Sequence, residues 1–216
     1  MSQNNNGFYS QWGQDEFVVS LLKNKKSGYF VDIGAYDGVT ISNTYYLEKE
    51  LGWKGLCLEA NPYTYQSLIS SRNSECVNLA VAPYKGEVEI LLNGWSSAIN
   101  DDFTSSEIIK QGFNSVKVNA LTINELFETY KVPSTFDYLS IDIEGGELEI
   151  ISQLDFKRWR PSLITYEHNC HLFDHPDHKI LMERQQQVEN ILTSNNYKLY
   201  KNFNGDGFFA DENLIQ

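Results

Sequence analysis

Short apolar runs alternate with segments of helical period along most of this chain, and that alternation constrains the fold more than any other feature. Tyr29–Ile33, Gly55–Leu58, Cys76–Val81, Tyr138–Ile143 and Leu163–Tyr166 read as buried strands. Between them, Thr44, Leu47 and Leu51 mark a helix from about Ser42, and Tyr65, Leu68 and Ile69 give a helix opening at Pro62 an apolar stripe. Ile123, Leu126, Phe127 and Tyr130 mark a short helix, and another follows Gly145-Gly146. Glu87–Leu92 reads as a further strand, antiparallel in one reading, and the polar region Asn93–Asn114 as a loop. Leu181, Val188, Ile191 and Leu192 place a long helix before a closing hairpin of Tyr197–Tyr200 and Gly207–Ala210. Strand–helix–strand repetition needs crossover connections, so the expected class is α/β, a mostly parallel sheet with helices on both faces. No repeat or boundary divides residues 1–216, which read as a single domain.

Charge narrows the partners. Lys and Arg total 17 against 29 Asp and Glu, a formal charge of −12, and the only basic cluster is Lys23, Lys25 and Lys26. Such a body repels phosphate backbones and anionic headgroups, so neither a nucleic-acid nor a membrane partner is expected. No apolar stretch approaches the roughly 20 residues of a spanning helix. Cys57, Cys76 and Cys170 show no CxxC spacing, and the polar start of the chain lacks a leader pattern. The expectation is a soluble protein of the reducing cytoplasm.

In mostly parallel sheets, ligands bind at the carboxyl ends of the strands. Asp32, Glu59, Asp142, Glu144, Glu167 and Asn169 are expected there. The first strand runs into Gly34-Ala35-Tyr36-Asp37-Gly38, whose glycines allow close backbone approach and unusual φ. The dinucleotide pattern G-x-G-x-x-G is absent, and two aspartates would repel a pyrophosphate. A ligand with an ammonium group and no phosphate suits the turn better. Glu59, 27 residues after Asp32, is placed to accept hydrogen bonds from ribose hydroxyls. A nucleoside site without phosphate recognition points to S-adenosylmethionine.

Five segments, in order, resemble the FkbM family of S-adenosylmethionine-dependent methyltransferases. They are Ser10-Gln11-Trp12-Gly13-Gln14-Asp15, Phe30 to Gly38, Ser42-Asn43-Thr44, Gly52 to Pro62, and Ile141-Asp142-Ile143-Glu144-Gly145-Gly146-Glu147. The family usually has Pro where Ala60 stands, and the likeness fades after about Glu167. The resemblance implies a class I methyltransferase fold, a Rossmann-like seven-stranded sheet with an antiparallel C-terminal strand. It also implies O-methylation of a hydroxyl, with a sugar or other small molecule as acceptor. By position, Asp32, Gly34, Ala35, Tyr36 and Gly38 would line the methionine end of the cofactor, Glu59 and Ala60 the ribose, and Ala80 the adenine. Asn43 and Asp142 would complete the pocket, and an N-terminal helical cap over about residues 8–26, carrying Gln14 and Asp15, would close on it.

Methyl transfer to an alcohol needs a base for the hydroxyl proton or a metal to polarise the oxygen. Asp142 and His168 are the candidate catalytic residues. Asp142 and Glu144, at i and i+2, face one way if the strand continues, as base, metal ligands or acceptors at the next helix N-terminus. Asp142, Glu167 and Asn169 together resemble oxygen ligands for Mg²⁺ or another hard divalent metal. His168, His171, His175 and His178 match no zinc module, and Pro176 interrupts any helix that would align them. Two alternatives stay open: a non-catalytic S-adenosylmethionine-binding module, and an NAD-dependent dehydrogenase lacking the phosphate-cradling glycines.

Overall fold

The computed structural model describes residues 7–93, 97–99, 114–170 and 177–213. In chain order the elements are α1 (Gln14–Leu21), β1 (Tyr29–Ile33), α2 (Tyr45–Leu51), β2 (Lys54–Leu58), α3 (Pro62–Ser71), β3 (Glu75–Val77) and β4 (Ala80–Val81). Next come β5 (Gly86–Leu91), β6 (Ala98–Ile99), β7 (Ser115–Leu121), α4 (Ile123–Thr129), β8 (Thr135–Ile141) and α5 (Glu147–Gln153). The chain closes with β9 (Arg160–Glu167), α6 (His178–Ser194), β10 (Tyr197–Phe203) and β11 (Asp206–Asp211).

The main sheet has seven strands in the order β10-β11-β9-β8-β1-β2-β3. β3, β2, β1, β8 and β9 run parallel, and β11 is antiparallel to both β9 and β10. The expected sheet, antiparallel last strand and closing hairpin are all present. Residues alternate across the sheet, so each strand feeds two cores. Phe30, Cys57, Tyr138, Leu163 and Phe208 pack against α1, α2 and α3 on one face. Val31, Ile33, Leu56, Leu139 and Ile164 pack against α4, α5 and α6 on the other. Local chemistry fixes the helix starts. Asn61 Oδ1 accepts from the Tyr63 and Thr64 N–H groups at 3.0 and 3.5 Å ahead of Pro62, and Thr122 forms a reciprocal capping box with Glu125.

The structure corrects several element assignments. Cys76–Val81, read as one strand, breaks at Asn78-Leu79: β3 ends the main sheet, whereas β4 enters a second sheet of order β4-β7-β5-β6. The Asn78 amide bonds the Glu59 and Ala60 carbonyls at 2.8 and 2.9 Å and anchors the break. β5 therefore belongs to the second sheet, antiparallel to β7. β7 was missed, although Val116, Val118 and Ala120 alternate with polar residues. Most of Asn93–Asn114, read as a loop, lies outside the described residues. In α3 only Leu68 of the expected stripe is buried; Ile69 is 44% exposed.

Candidate functional site

The parallel strands β2, β1, β8 and β9 are neighbours, so their carboxyl ends share one edge, with the start of β11 beside β9. Chain geometry at that edge is tight. Gly34 has φ of 91°, and a Cβ there would lie 1.7 Å from the Asp142 carbonyl oxygen. Only glycine lets the β1 turn pass β8 this closely. The Gly34 and Ala35 N–H groups both bond the Leu58 carbonyl, which ties the turn to β2 as well. Tyr36 takes φ of 51°, uncommon outside glycine. Gly38 is glycine for another reason: a side chain there would collide with Leu68, Ser71 and Arg72 of the α3 region.

A buried polar network holds this turn from the α1–α3 side. Thr44 Oγ1 donates to Asp32 at 2.5 Å, and Asn43 Nδ2 donates to Ser140 Oγ at 2.9 Å. Arg72 reaches Thr44 at 2.9 Å, Glu48 at 3.0 Å and the Gly38 carbonyl at 3.3 Å. Burial pushes the Asp32 carboxyl above its usual range, against the pull of Arg72 and the Thr44 and Ser140 hydroxyls. Asp32 and Asn43 thus have protein partners that brace the turn.

Glu59 follows β2 and is 8% exposed. Its carboxylate accepts the Asn61 N–H at 2.7 Å and a hydrogen bond from the Tyr36 backbone. Burial outweighs those bonds and pushes its pKa to about 7. Ala60 is half-buried against the second sheet's small core, which includes Ala80 beside Ala120.

Across Gly34 lies a group of acids. β8 stops at Ile141, and Glu144 is held at φ of 62°, so strand alternation does not align Asp142 with Glu144. The turn does bring them together: carboxylate oxygens of Asp142, Glu144 and Glu167 all lie within 4.8 Å of one another. Burial and the neighbouring carboxylates raise the pKa values of Asp142 and Glu167 well above normal. Asn169, expected beside them, has φ of 55° and donates its N–H to the Gly205 carbonyl at 3.1 Å. His168 Nδ1 accepts the Cys170 N–H at 3.1 Å. Among the other histidines, His171 and His175 lie outside the described residues, and His178 opens α6.

Two acids escaped sequence reasoning. Glu147, not Glu144, caps the turn before α5: it accepts the N–H groups of Ile143, Gly145 and Gly146 at 3.1 to 3.2 Å. Asp206 starts β11 opposite Glu167 and accepts 2.9 Å from Gln14 of α1. Burial pushes both carboxyls to about 7. A Glu just after Gly-Gly was the available signal for the first. The second needed knowledge of strand pairing. Asp15, by contrast, is used locally, accepting from Tyr9, Ser10 and Glu16. Beside Gln14, a cavity of about 250 Å³ is lined by Phe8, Gln11, Trp12, Glu16, Phe203 and Asn204.

Comparison with known proteins gives one family match and several structural neighbours. The family model described as a methyltransferase FkbM domain matches residues 32–199. No curated protein matches the sequence significantly. Among solved structures, the methyltransferase FkbM from Methylobacillus flagellatus KT superposes with a TM-score of 0.51 at 13% identity, covering 85% of this chain and 43% of that one. A precorrin-6y C5,15-methyltransferase from Geobacter metallireducens gives 0.47 at 14% identity, over 90% of this chain and 84% of that one. The SAH-bound Podospora anserina methyltransferase PaMTH1 gives 0.48 at 10% identity, over 92% and 78%. With the family match spanning most of the chain and the expected seven-stranded sheet with its antiparallel strand present, the chain belongs to the FkbM family of S-adenosylmethionine-dependent methyltransferases, on a class I methyltransferase fold.

Proposed function

We propose that the protein methylates a hydroxyl oxygen of a small polyhydroxylated molecule or sugar. The observation that carries this reading is the Gly34–Asp142 contact. It holds the β1 turn, which we read as the cofactor turn, against the backbone of Asp142, whose carboxylate lies with those of Glu144 and Glu167. The donor set fits S-adenosylmethionine: a carboxylate that accepts hydrogen bonds at the end of β2, and an anionic lining for the ammonium and sulfonium charges. When bound, the cofactor supplies an electrophilic methyl carbon.

The chain's own residues do the rest. Glu59 accepts the ribose hydroxyls, with Ala60 beside it and Ala80 on the adenine side. Gly34, Ala35, Tyr36 and Gly38 form the turn, supported by Asp32 and Asn43. Asp142 takes the acceptor proton; burial and the neighbouring carboxylates raise its proton affinity above that of an ordinary carboxylate. His168 is the second candidate for the acceptor proton, its ring held by Nδ1, which accepts the Cys170 N–H at 3.1 Å. Trp12 and Phe203, with Gln11, Glu16 and Asn204, offer the aromatic faces and polar groups that a sugar ring uses. The net charge of −12 disfavours nucleic acid as acceptor, and three free thiols suit a reducing cytoplasm. No helix among the described residues is long and apolar enough to cross a membrane.

The test has two steps. Calorimetric titration with S-adenosylhomocysteine, with NAD as control, should show binding of the first alone. Methyl-labelled cofactor is then offered to a panel of sugars and polyols. Label in alkali-stable ethers supports the reading; label on nitrogen or in alkali-labile esters refutes it.

A further inference from the structure

We infer that Cys57 and Cys76 form a redox-sensitive pair, which a hydroperoxide closes into a disulfide, and that the closed form binds the cofactor more weakly. The chain has three free thiols, and methyl transfer uses none of them. Cys57 and Cys76 stand directly opposite each other in the register of β2 and β3. Both side chains belong to the core packed against α1, α2 and α3, so they project from the same face of the sheet. Neighbouring strands lie about 4.8 Å apart, within the roughly 4.4–6.8 Å between Cα atoms that a disulfide spans. β3 is an edge strand of only three residues, so it can yield to the small shift that closure needs.

The two thiols are unequal. Cys57 is fully buried, whereas Cys76 is half-buried, so an oxidant meets Cys76 first. As a thiol, Cys76 donates to the Ser74 carbonyl at 3.4 Å. The hydrogen bond from Cys57 brings the Cys76 thiol below its ordinary range, helped by the Arg72 guanidinium and opposed by burial and the charges of Glu48 and Asp32. That same bond, with burial, pushes the Cys57 thiol up. Cys76 is therefore the attacking sulfur and Cys57 the resolving one. Cys170 lacks this pairing: its Sγ bonds the His168 carbonyl at 3.4 Å, and burial pushes its thiol up to about 11.

The chemistry balances in two steps. The Cys76 sulfur attacks a hydroperoxide, an S–O bond forms, the O–O bond breaks, and an alcohol (or water, from hydrogen peroxide) leaves. The Cys57 sulfur then attacks the sulfenic sulfur, the S–S bond forms, the S–O bond breaks, and water departs with the Cys57 proton. Two thiols lose two electrons to one hydroperoxide. The consequence reaches the cofactor edge through β3. The Glu59 N–H donates to the Val77 carbonyl at 3.1 Å, and the Asn78 amide holds the Glu59 and Ala60 carbonyls. Drawing Cys76 toward β2 moves Val77 and Asn78 with it and displaces the Glu59 carboxylate.

The effect on the cofactor rests on reading Glu59 as the ribose acceptor; the disulfide itself does not. The experiment treats the full chain with a small molar excess of hydrogen peroxide and maps its thiols by mass spectrometry under denaturing conditions. Wild type should lose two hydrogen atoms, yield a Cys57–Cys76 linked peptide, keep Cys170 reduced and recover fully in dithiothreitol. In Cys57→Ala the reaction should stop at a Cys76 sulfenic acid that dimedone captures, and in Cys76→Ser the remaining thiols should stay reduced. Either variant carries the comparison if the other fails to fold. Calorimetry should show S-adenosylhomocysteine binding about fivefold or more weaker to oxidised than to reduced wild type, and unchanged by peroxide in Cys76→Ser. Oxidation at Cys170 instead, a link between two chains, or sulfinic acid without a Cys57–Cys76 link overturns the pair. A link with unchanged affinity overturns its effect on the cofactor. Failure of reduced wild type to bind S-adenosylhomocysteine overturns the methyl-transfer reading instead.

Discussion

Cofactor binding should release a proton from Glu59. In the free protein this carboxyl is pushed to about 7, first by burial and then by the charge of Asp32, against the N–H groups of Asn61 and Tyr36. Ribose hydroxyls that donate to it favour its ionised form, so binding draws the pKa back down. At pH 6 about nine-tenths of the free protein is protonated there, so affinity should be about tenfold weaker than at pH 8. Calorimetry with S-adenosylhomocysteine in buffers of different ionisation enthalpy reads the proton directly. About 0.9 proton should leave per ligand at pH 6 and about 0.1 at pH 8. Glu59→Gln should flatten both the affinity profile and the proton count. The same shift has a stability sign. Between the ordinary carboxylate value and 7 the folded chain holds the extra proton, so stability falls as pH rises through that window, by about 3 kcal/mol in all. Glu59→Gln should remove that slope in urea titrations. A wild-type proton count near zero at pH 6, or an unchanged profile in the folded Glu59→Gln variant, refutes the reasoning.

Removing the buried cation by Arg72→Met strands Glu48, and urea titration should show a loss of about 3–5 kcal/mol; a loss under about 1 kcal/mol contradicts the network. Gly34→Ala places a Cβ 1.7 Å from a carbonyl oxygen at φ of 91°, so soluble expression or cofactor binding should fail; wild-type affinity in a folded variant would overturn the close approach. Glu147→Ala leaves three N–H groups without their acceptor and should lower stability by about 1–3 kcal/mol, with Glu147→Gln recovering part; equal losses argue against the cap. Against burial, which raises it, the partners of Glu48, including Lys49, Ser74 and Arg72, bring its carboxyl to about 2. Its stabilisation should therefore be lost as pH falls from the usual carboxylate range toward 2, and acid titration of Glu48→Gln should lack that component.

Strands β1, β2, β8 and β9 were legible because each is a largely buried apolar run. The second sheet was not, because its strands are either two residues long, as in β4 and β6, or half-polar, as in Gly86–Leu91 and Ser115–Leu121. Which sheet such a strand joins depends on partners far along the chain. The site divides in the same way. Asp32, Gly34 and Glu59 follow recognisable strands, so sequence order alone puts them at one edge. Glu144 would align with Asp142 only on a continuing strand, whereas the strand ends and its carboxylate reaches Asp142 from a residue with positive φ. Asp206 and Gln14 meet across 192 residues, a pairing no local pattern encodes.

The order of strands also governs how the molecule acquires its site in time. β1 and β8 lie side by side at the middle of the sheet, yet the Tyr29 N–H reaches the Asp137 carboxylate across 108 residues of chain. Closing a loop of that length costs entropy before any pairing rewards it. The cofactor turn hangs from β1 and the acids from β8 and β9, so neither half can meet the other until that closure is made. An N-terminal fragment ending before β8 holds Glu59 but lacks Asp142, Glu167 and the central neighbour of β1. During refolding, ligand binding should thus emerge with the slow, global phase rather than with the early growth of helices.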